Sequence, residues 1–192
     1  METAPFIRPP AHPAACPCCL TRRQLLGRLA GAALAGGAGL LRARPAQAQV
    51  PAAAGNEARA LLLSCIDFRF VELEHAFLAR QLLTGAVDWV ALAGASLALT
   101  GFPHRADARA FWDQLQLSRS LHHIRQVILL DHQDCAAYAA IHPEPFADPQ
   151  AELELHAATL RRARQRILRR HPELAVQLYF ARLDGEVVPI AA

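Results

Sequence analysis

The chain is predicted to be an α/β protein with a mostly parallel β-sheet core, flanking helices and an antiparallel edge hairpin at its C-terminus. Three observations lead there. Apolar runs such as ALLLS and QVILL are separated by segments with apolar side chains at helical spacing, the pattern of right-handed crossovers between parallel strands. The runs lack strict polar alternation, as do strands covered on both faces. The closing VQLYFARLDGEVVPI turns over at Asp184-Gly185, a hairpin signal.

The 192 residues, 53% hydrophobic, are enough for one core plus an appendage and exclude general disorder. Residues 1–48 stand apart in charge: they hold six Arg and one Glu, whereas residues 49–192 hold 14 Arg against 16 Asp and Glu. The body is thus slightly acidic and the formal +3 comes from the start of the chain. A body with no basic excess argues against nucleic-acid binding. In the first segment TRRQLLG places Arg22 and Arg23 before LAGAALAGGAGLL, an apolar stretch too short and too rich in Gly and Ala to span a membrane. Ala46 and Ala48 then occupy the small-residue positions of an A-x-A cleavage site. This order resembles a twin-arginine export signal, residues 1–48, cleaved after Ala48. It implies the twin-arginine export machinery as a partner and a periplasmic or otherwise exported location. An ordinary Arg-flanked amphipathic start and a retained membrane anchor are the alternatives.

Residues 49–58 read as a linker and 59–192 as a single domain. ARALLLSC (58–65) is the first strand. VELEHAFLARQLLTG (71–85) carries Val71, Phe77, Leu78 and Leu82 at helical spacing and should stop at Gly85. VDWVALAGAS (87–96) is a strand running into a small-residue turn. A helix follows Pro103 over 106–123, and QVILLDHQDC (126–135) is the third strand. A long helix starts at Asp148 or Pro149; its second half is basic, and Leu160, Ile167 and Leu168 form a core-facing stripe under a solvated basic face.

Cys16, Cys18 and Cys19 lie in the segment to be removed, which leaves Cys65 and Cys135. In an oxidising compartment two such cysteines read first as a disulfide, but His132-x-x-Cys135 adds an imidazole that a disulfide has no use for. Sites in parallel sheets form at the carboxyl ends of strands, where Cys65, His132 and Cys135 all fall. Two thiolates and one imidazole are an open Cys2His set for tetrahedral zinc, and soft ligands favour zinc over magnesium, calcium or manganese. Alternation along an extended CIDFR puts Cys65, Asp67 and Arg69 on one face. Asp67 would then accept a hydrogen bond from zinc-bound water while Arg69 holds it, or swing in as fourth ligand and close the site. A structural Asp67–Arg69 ion pair is the plainer alternative. His122 and His123 precede the third strand at its far end, and His75 and His156 read as ordinary helical residues.

CIDFR resembles the C-x-D-x-R motif of β-class carbonic anhydrases and DHQDC their H-x-x-C. ALAGAS falls where that family has an Asn-Ala-Gly-Asn turn, and YFARLDGEV is similar to its final strand and hairpin. The likeness covers roughly residues 59–190. It implies a β-carbonic-anhydrase-like fold, zinc on Cys65, His132 and Cys135, Asp67 and Arg69 as a catalytic dyad, and reversible hydration of carbon dioxide to bicarbonate by a homo-oligomer, dimer or higher. The chain departs from the family in Ala136, where Gly is usual, in Ser96, where the turn has Asn, and in lacking N-terminal helices between Gln49 and Arg59. Two other functions fit the same residues: a zinc hydrolase of carbonyl sulfide or carbon disulfide, and a non-enzymatic periplasmic zinc-binding or thiol-redox module.

Overall fold

The computed structural model describes residues 55–142, 144 and 148–192. The export-signal reading of residues 1–48 therefore lies outside the described residues. Five strands, β1 (Ala60–Ser64), β2 (Val87–Ala91), β3 (Gln126–His132), β4 (Ala175–Ala181) and β5 (Val187–Pro189), form one sheet in the order β2-β1-β3-β4-β5. The first four are parallel and β5 returns antiparallel to β4, which is the expected α/β architecture with its edge hairpin. The described helices are α1 (Val71–Arg80), α2 (Arg105–His122), α3 (Ala136–Ala139) and α4 (Pro149–Arg170), with 3-10 turns at Phe68–Phe70 and Ala95–Thr100. None of them is long and apolar enough to cross a membrane.

β1 is buried at every position because both of its faces are covered. Leu61 and Leu63 pack with Phe111 and Leu115 of α2 and with Leu160 and Ile167 of α4. Leu62 packs on the other side with Phe77 and Leu78 of α1. Each fully buried Leu stabilises the fold by roughly 1.5–3 kcal/mol, which is why this run needs no polar alternation.

α4 begins where the sequence places it. Asp148 caps it by accepting from the Gln150 N–H at 2.9 Å, and Pro149 occupies the first turn, where its missing N–H costs nothing. Leu160, Ala163 and Ile167 are buried, Leu168 is half-buried, and Arg161, Arg162, Arg166, Arg169 and Arg170 are exposed. The basic run is a solvent face near the helix C-terminus, where the dipole favours cations.

α1 stops at Arg80, short of Gly85. The Leu83 N–H bonds the Leu78 carbonyl at 2.9 Å and the Leu82 N–H bonds that of Ala79 at 3.0 Å, with Leu82 left-handed at φ 57°. This is a Schellman closure with a leucine in the position that glycine usually takes. It ends the helix early so that Leu83 can turn back into the core, where it is 3% exposed.

The strand order positions the site. From β1 the chain goes to β2 on one side and later returns as β3 on the other, so a crevice opens at the carboxyl ends of β1 and β3.

Candidate metal centre

Cys65 lies just beyond β1 and His132 is the last residue of β3, two adjacent strands in parallel register. After His132 the chain reverses through Asp134, left-handed at φ 56°, and delivers Cys135 at the start of α3. The reversal is tied to β4 by the Gln133 N–H on the Ala181 carbonyl at 2.8 Å. The Gln133 side-chain oxygen accepts from the Leu183 N–H at 3.1 Å. Cys65, His132 and Cys135 are buried, and one potential ligand atom from each lies within 4.8 Å of the others.

The local chemistry suits a cation. Cys65 and Cys135 are free thiols with sulfurs 4.0 Å apart, against about 2.05 Å in a disulfide and about 3.8 Å for the edge of a tetrahedron with 2.3 Å zinc–sulfur arms. His132 Nδ1 must donate to the Gln133 carbonyl at 2.8 Å, because a carbonyl only accepts. That leaves Nε2 as the lone-pair nitrogen, buried and without a hydrogen-bond partner. The Cys135 thiol, bonded to Cys65, holds Cys65 down to about 4 against the opposing effect of burial, with His132 and the Gly94 N–H at 3.3 Å assisting. The bond to Cys65, burial and the Cys65 charge push Cys135 far up. One thiolate forms readily and the second is suppressed, a conflict that a divalent cation between them removes. Burial disfavours the His132 cation, yet the Cys65 side chain beside it leaves it raised on balance. The donor set thus fits a metal of zinc type.

Asp67 and Arg69 reach the site by a different route from the strand face expected of them. β1 ends at Ser64, and Phe68–Phe70 is a 3-10 turn that Asp67 caps by accepting from the Arg69 N–H at 3.0 Å. The turn, not pleat alternation, folds the guanidinium back onto Asp67. Arg69 Nε donates to both carboxylate oxygens at 3.0 and 3.1 Å and Nη2 donates to Oδ2 at 2.7 Å. The Arg69 bonds hold Asp67 at about 2 against partial burial. Its Oδ2 lies 4.0 Å from His132 Nε2, so the carboxylate faces the ligand cluster.

Several polar residues around the centre were not anticipated. Arg69 also donates to the Asp134 carboxylate at 2.7 Å and to its carbonyl at 2.9 Å, and the Asp134 N–H bonds buried Glu152 of α4. Glu74 on α1 is buried behind the site, and burial pushes it up to about 7. His156 is no ordinary helical residue: it is fully buried and its Nδ1 donates to Asp131 at 3.0 Å. Ser96 is likewise buried, with its hydroxyl on Asp131 at 2.7 Å. A sequence signal existed for three of these, Asp131 as a lone carboxylate in the apolar run VILLDH, and Glu152 with His156 as a pair at helical i, i+4 spacing. His122 lies at the opposite end of the sheet from the ligands, its Nδ1 2.8 Å from Asp88 near the start of β2.

A cavity of about 360 Å³ opens onto the thiols. Its walls are apolar apart from Asp67 and Arg69 and include Ile66, Phe68, Ala93, Ala136 and Ala137. Phe68 is 84% exposed at the mouth, whereas Phe70 is buried with its ring 4.3 Å from that of His132.

The family model described as "Putative carbonic anhydrase" matches residues 55–191. The chain belongs to this carbonic anhydrase family. An uncharacterised protein of Rickettsia bellii is 35% identical over 136 residues, which cover 70% of this chain and 83% of that protein. An uncharacterised protein of Rickettsia conorii is 36% identical over 136 residues, 70% and 73% of the two chains. Similar solved structures include a β-carbonic anhydrase of Sordaria macrospora, with 12% identity, coverage of 72% of this chain and 83% of that one, and a TM-score of 0.49. Isoform I of Trichomonas vaginalis gives 17% identity, 70% and 85% coverage and a TM-score of 0.45. The Ser96 side chain is turned into the interior and does not line the cavity.

Proposed function

We propose that this chain is a zinc lyase that hydrates carbon dioxide reversibly to bicarbonate, with Cys65, His132 and Cys135 as metal ligands and Asp67 and Arg69 as the catalytic dyad. The observation that carries this reading is the convergence of three buried ligand atoms within 4.8 Å with a carboxylate 4.0 Å from one of them. Bound there, zinc supplies a water acidified enough to serve as nucleophile near neutral pH. The chain's own groups do the rest. His132 is kept in the tautomer that offers Nε2 because Nδ1–H is committed to Gln133. Asp67, held ionised by Arg69, can only accept, and would therefore orient a proton donor brought to the metal. The apolar walls suit a small non-polar substrate.

Metal analysis of the purified chain should find about one zinc per chain, and stopped-flow hydration should follow zinc content. Zinc-replete protein without hydration activity would remove the carbon dioxide assignment. We also propose export by the twin-arginine pathway, tested by whether Arg22→Lys with Arg23→Lys retains the chain in the cytoplasm unprocessed. Homo-oligomer formation is the third element of this reading, and sedentation of a single monomeric species in analytical ultracentrifugation would exclude it.

A further inference from the structure

Asp131 immediately precedes His132 on β3, and alternation sends its side chain to the opposite face of the sheet, the side covered by α2 and α4. The side chain is fully buried, at the end of an apolar run of Val, Ile and Leu. A carboxylate there is expensive to desolvate unless hydrogen bonds replace water. Four do. Oδ1 accepts from the Ser96 N–H at 3.0 Å, and Oδ2 accepts from the Ser96 hydroxyl at 2.7 Å, the Tyr138 hydroxyl at 2.6 Å and His156 Nδ1 at 3.0 Å.

The three donor residues sit on three segments, and each segment carries a different part of the metal centre. Ser96 is two residues past Gly94, whose N–H reaches the Cys65 sulfur at 3.3 Å. Tyr138 is three residues past Cys135, in the turn closed by the Ala139 N–H on the Cys135 carbonyl at 3.0 Å. His156 stands one helical turn from Glu152, with Nε2 3.9 Å from its carboxylate. Glu152 in turn accepts from the N–H of Asp134, the residue that shares Arg69 with Asp67. Gly94 shows how tight the first link is: a Cβ there would lie 3.1 Å from the Ala137 and Leu97 Cβ atoms. The turn beside Cys65 and the helix after Cys135 are therefore packed against each other and pinned to one carboxylate.

We propose that Asp131 is a positioning residue for the metal centre, gathering the Cys65, Cys135 and Asp134 segments through Ser96, Tyr138 and His156 so that the ligand atoms stand within reach of one ion. This rests on the reading of Cys65, His132 and Cys135 as metal ligands. It assigns Ser96, the departure from the family's turn motif, to the support of the centre instead of to substrate contact.

The test is competition between the zinc-loaded full chain and a chromophoric chelator, with Tm measured on every variant. Asp131→Asn replaces an acceptor oxygen by a donor amide facing donors. Ser96→Ala and Tyr138→Phe each remove one donor with little change in shape and keep the test open if Asp131→Asn fails to fold. Ile167→Val, in the core on α4 and outside the network, is the control for general destabilisation. Zinc affinity should fall about 10–100-fold in both Ser96→Ala and Tyr138→Phe, while Ile167→Val keeps wild-type affinity even where its Tm falls as far. Wild-type affinity in either network variant, or an equal loss in Ile167→Val at matched Tm, overturns the positioning role with the metal ligands intact. A wild-type chain that takes up no zinc overturns the ligand assignment itself and the positioning role with it.

Discussion

Arg69→Ala separates the dyad's chemistry from the metal's retention. The substitution removes three donated bonds of 2.7 to 3.1 Å from Asp67 and leaves it only the backbone N–H of residue 69. A hydrogen bond to a charged group contributes about 1.5–3 kcal/mol, so releasing the carboxylate becomes easier by roughly one to two decades. Little movement is then needed. Asp67 Oδ2 is 4.0 Å from His132 Nε2, and two ligands of a tetrahedral zinc with arms near 2.0 Å stand about 3.3 Å apart. Closing that gap to the His132 nitrogen asks less than about 1 Å of the oxygen. Its acidity does not prevent this: without the guanidinium the carboxyl rises from about 2 toward its ordinary 3.8 and remains an anion at neutral pH. The expected outcome is near-normal zinc content with carbon dioxide hydration reduced about 10–100-fold. The residual rate should climb with pH, because the solvent ligand competes with the carboxylate better once it has lost a proton. Zinc and stopped-flow rates are measured on the same preparation from about pH 6.5 to 9. A near-wild-type rate, or zinc and activity lost in parallel, would refute the reasoning and leave Arg69 a structural partner.

In the metal-free chain, buried Glu74 binds its proton more tightly when folded, at about 7 against an ordinary 4.5. The folded state therefore holds more protons between those values and stability should fall as pH rises through that window, by on the order of 3 kcal/mol; Glu74→Gln should flatten the urea midpoint across it. Asp67 acts in the opposite sense lower down, its contribution lost as pH falls from about 3.8 toward 2. After chelation, alkylation at about pH 6 should modify Cys65 before Cys135, since their mutual hydrogen bond holds Cys65 down and pushes Cys135 up; peptide mass spectrometry reads the order. Leu160→Ala, at a fully buried position between α4 and the sheet, should cost roughly 2–5 kcal/mol in urea unfolding without changing zinc stoichiometry.

The sheet and the convergence of Cys65, His132 and Cys135 were legible in the sequence because both are written locally. Runs such as ALLLS declare themselves by composition, Asp148-Pro149 announces a helix start, and Cys65, His132 and Cys135 sit at strand ends where one fold rule brings them together. The route of Arg69 to Asp67 was misread, because C-x-D-x-R fits pleat alternation and a tight turn equally well. The choice depends on the Asp67 side chain capping the turn. The network that joins Asp131 to Ser96, Tyr138 and His156 was invisible for another reason. Their meaning lies in one another, across 7 to 35 residues of chain, and a lone Ser, Tyr or His on a helix or turn carries no mark of the carboxylate it will meet. The α1 terminus was missed because Gly85 is the stronger stop signal, while Leu82 takes the left-handed position under pressure from the core.

The two sulfurs that face each other across 4.0 Å are separated by 70 residues of chain. An ion held by both closes a loop that contains α1, β2, α2 and the whole of β3, and so ties the central strands together as a cross-link would. A covalent bridge over a loop of that length lowers the entropy of the unfolded chain by an amount equivalent to about 4 kcal/mol. Metal loading would then be a folding event. Chelation should loosen the middle of the sheet before its edge, and amide exchange in β1 and β3 becomes a gauge of how much of a preparation is charged with metal.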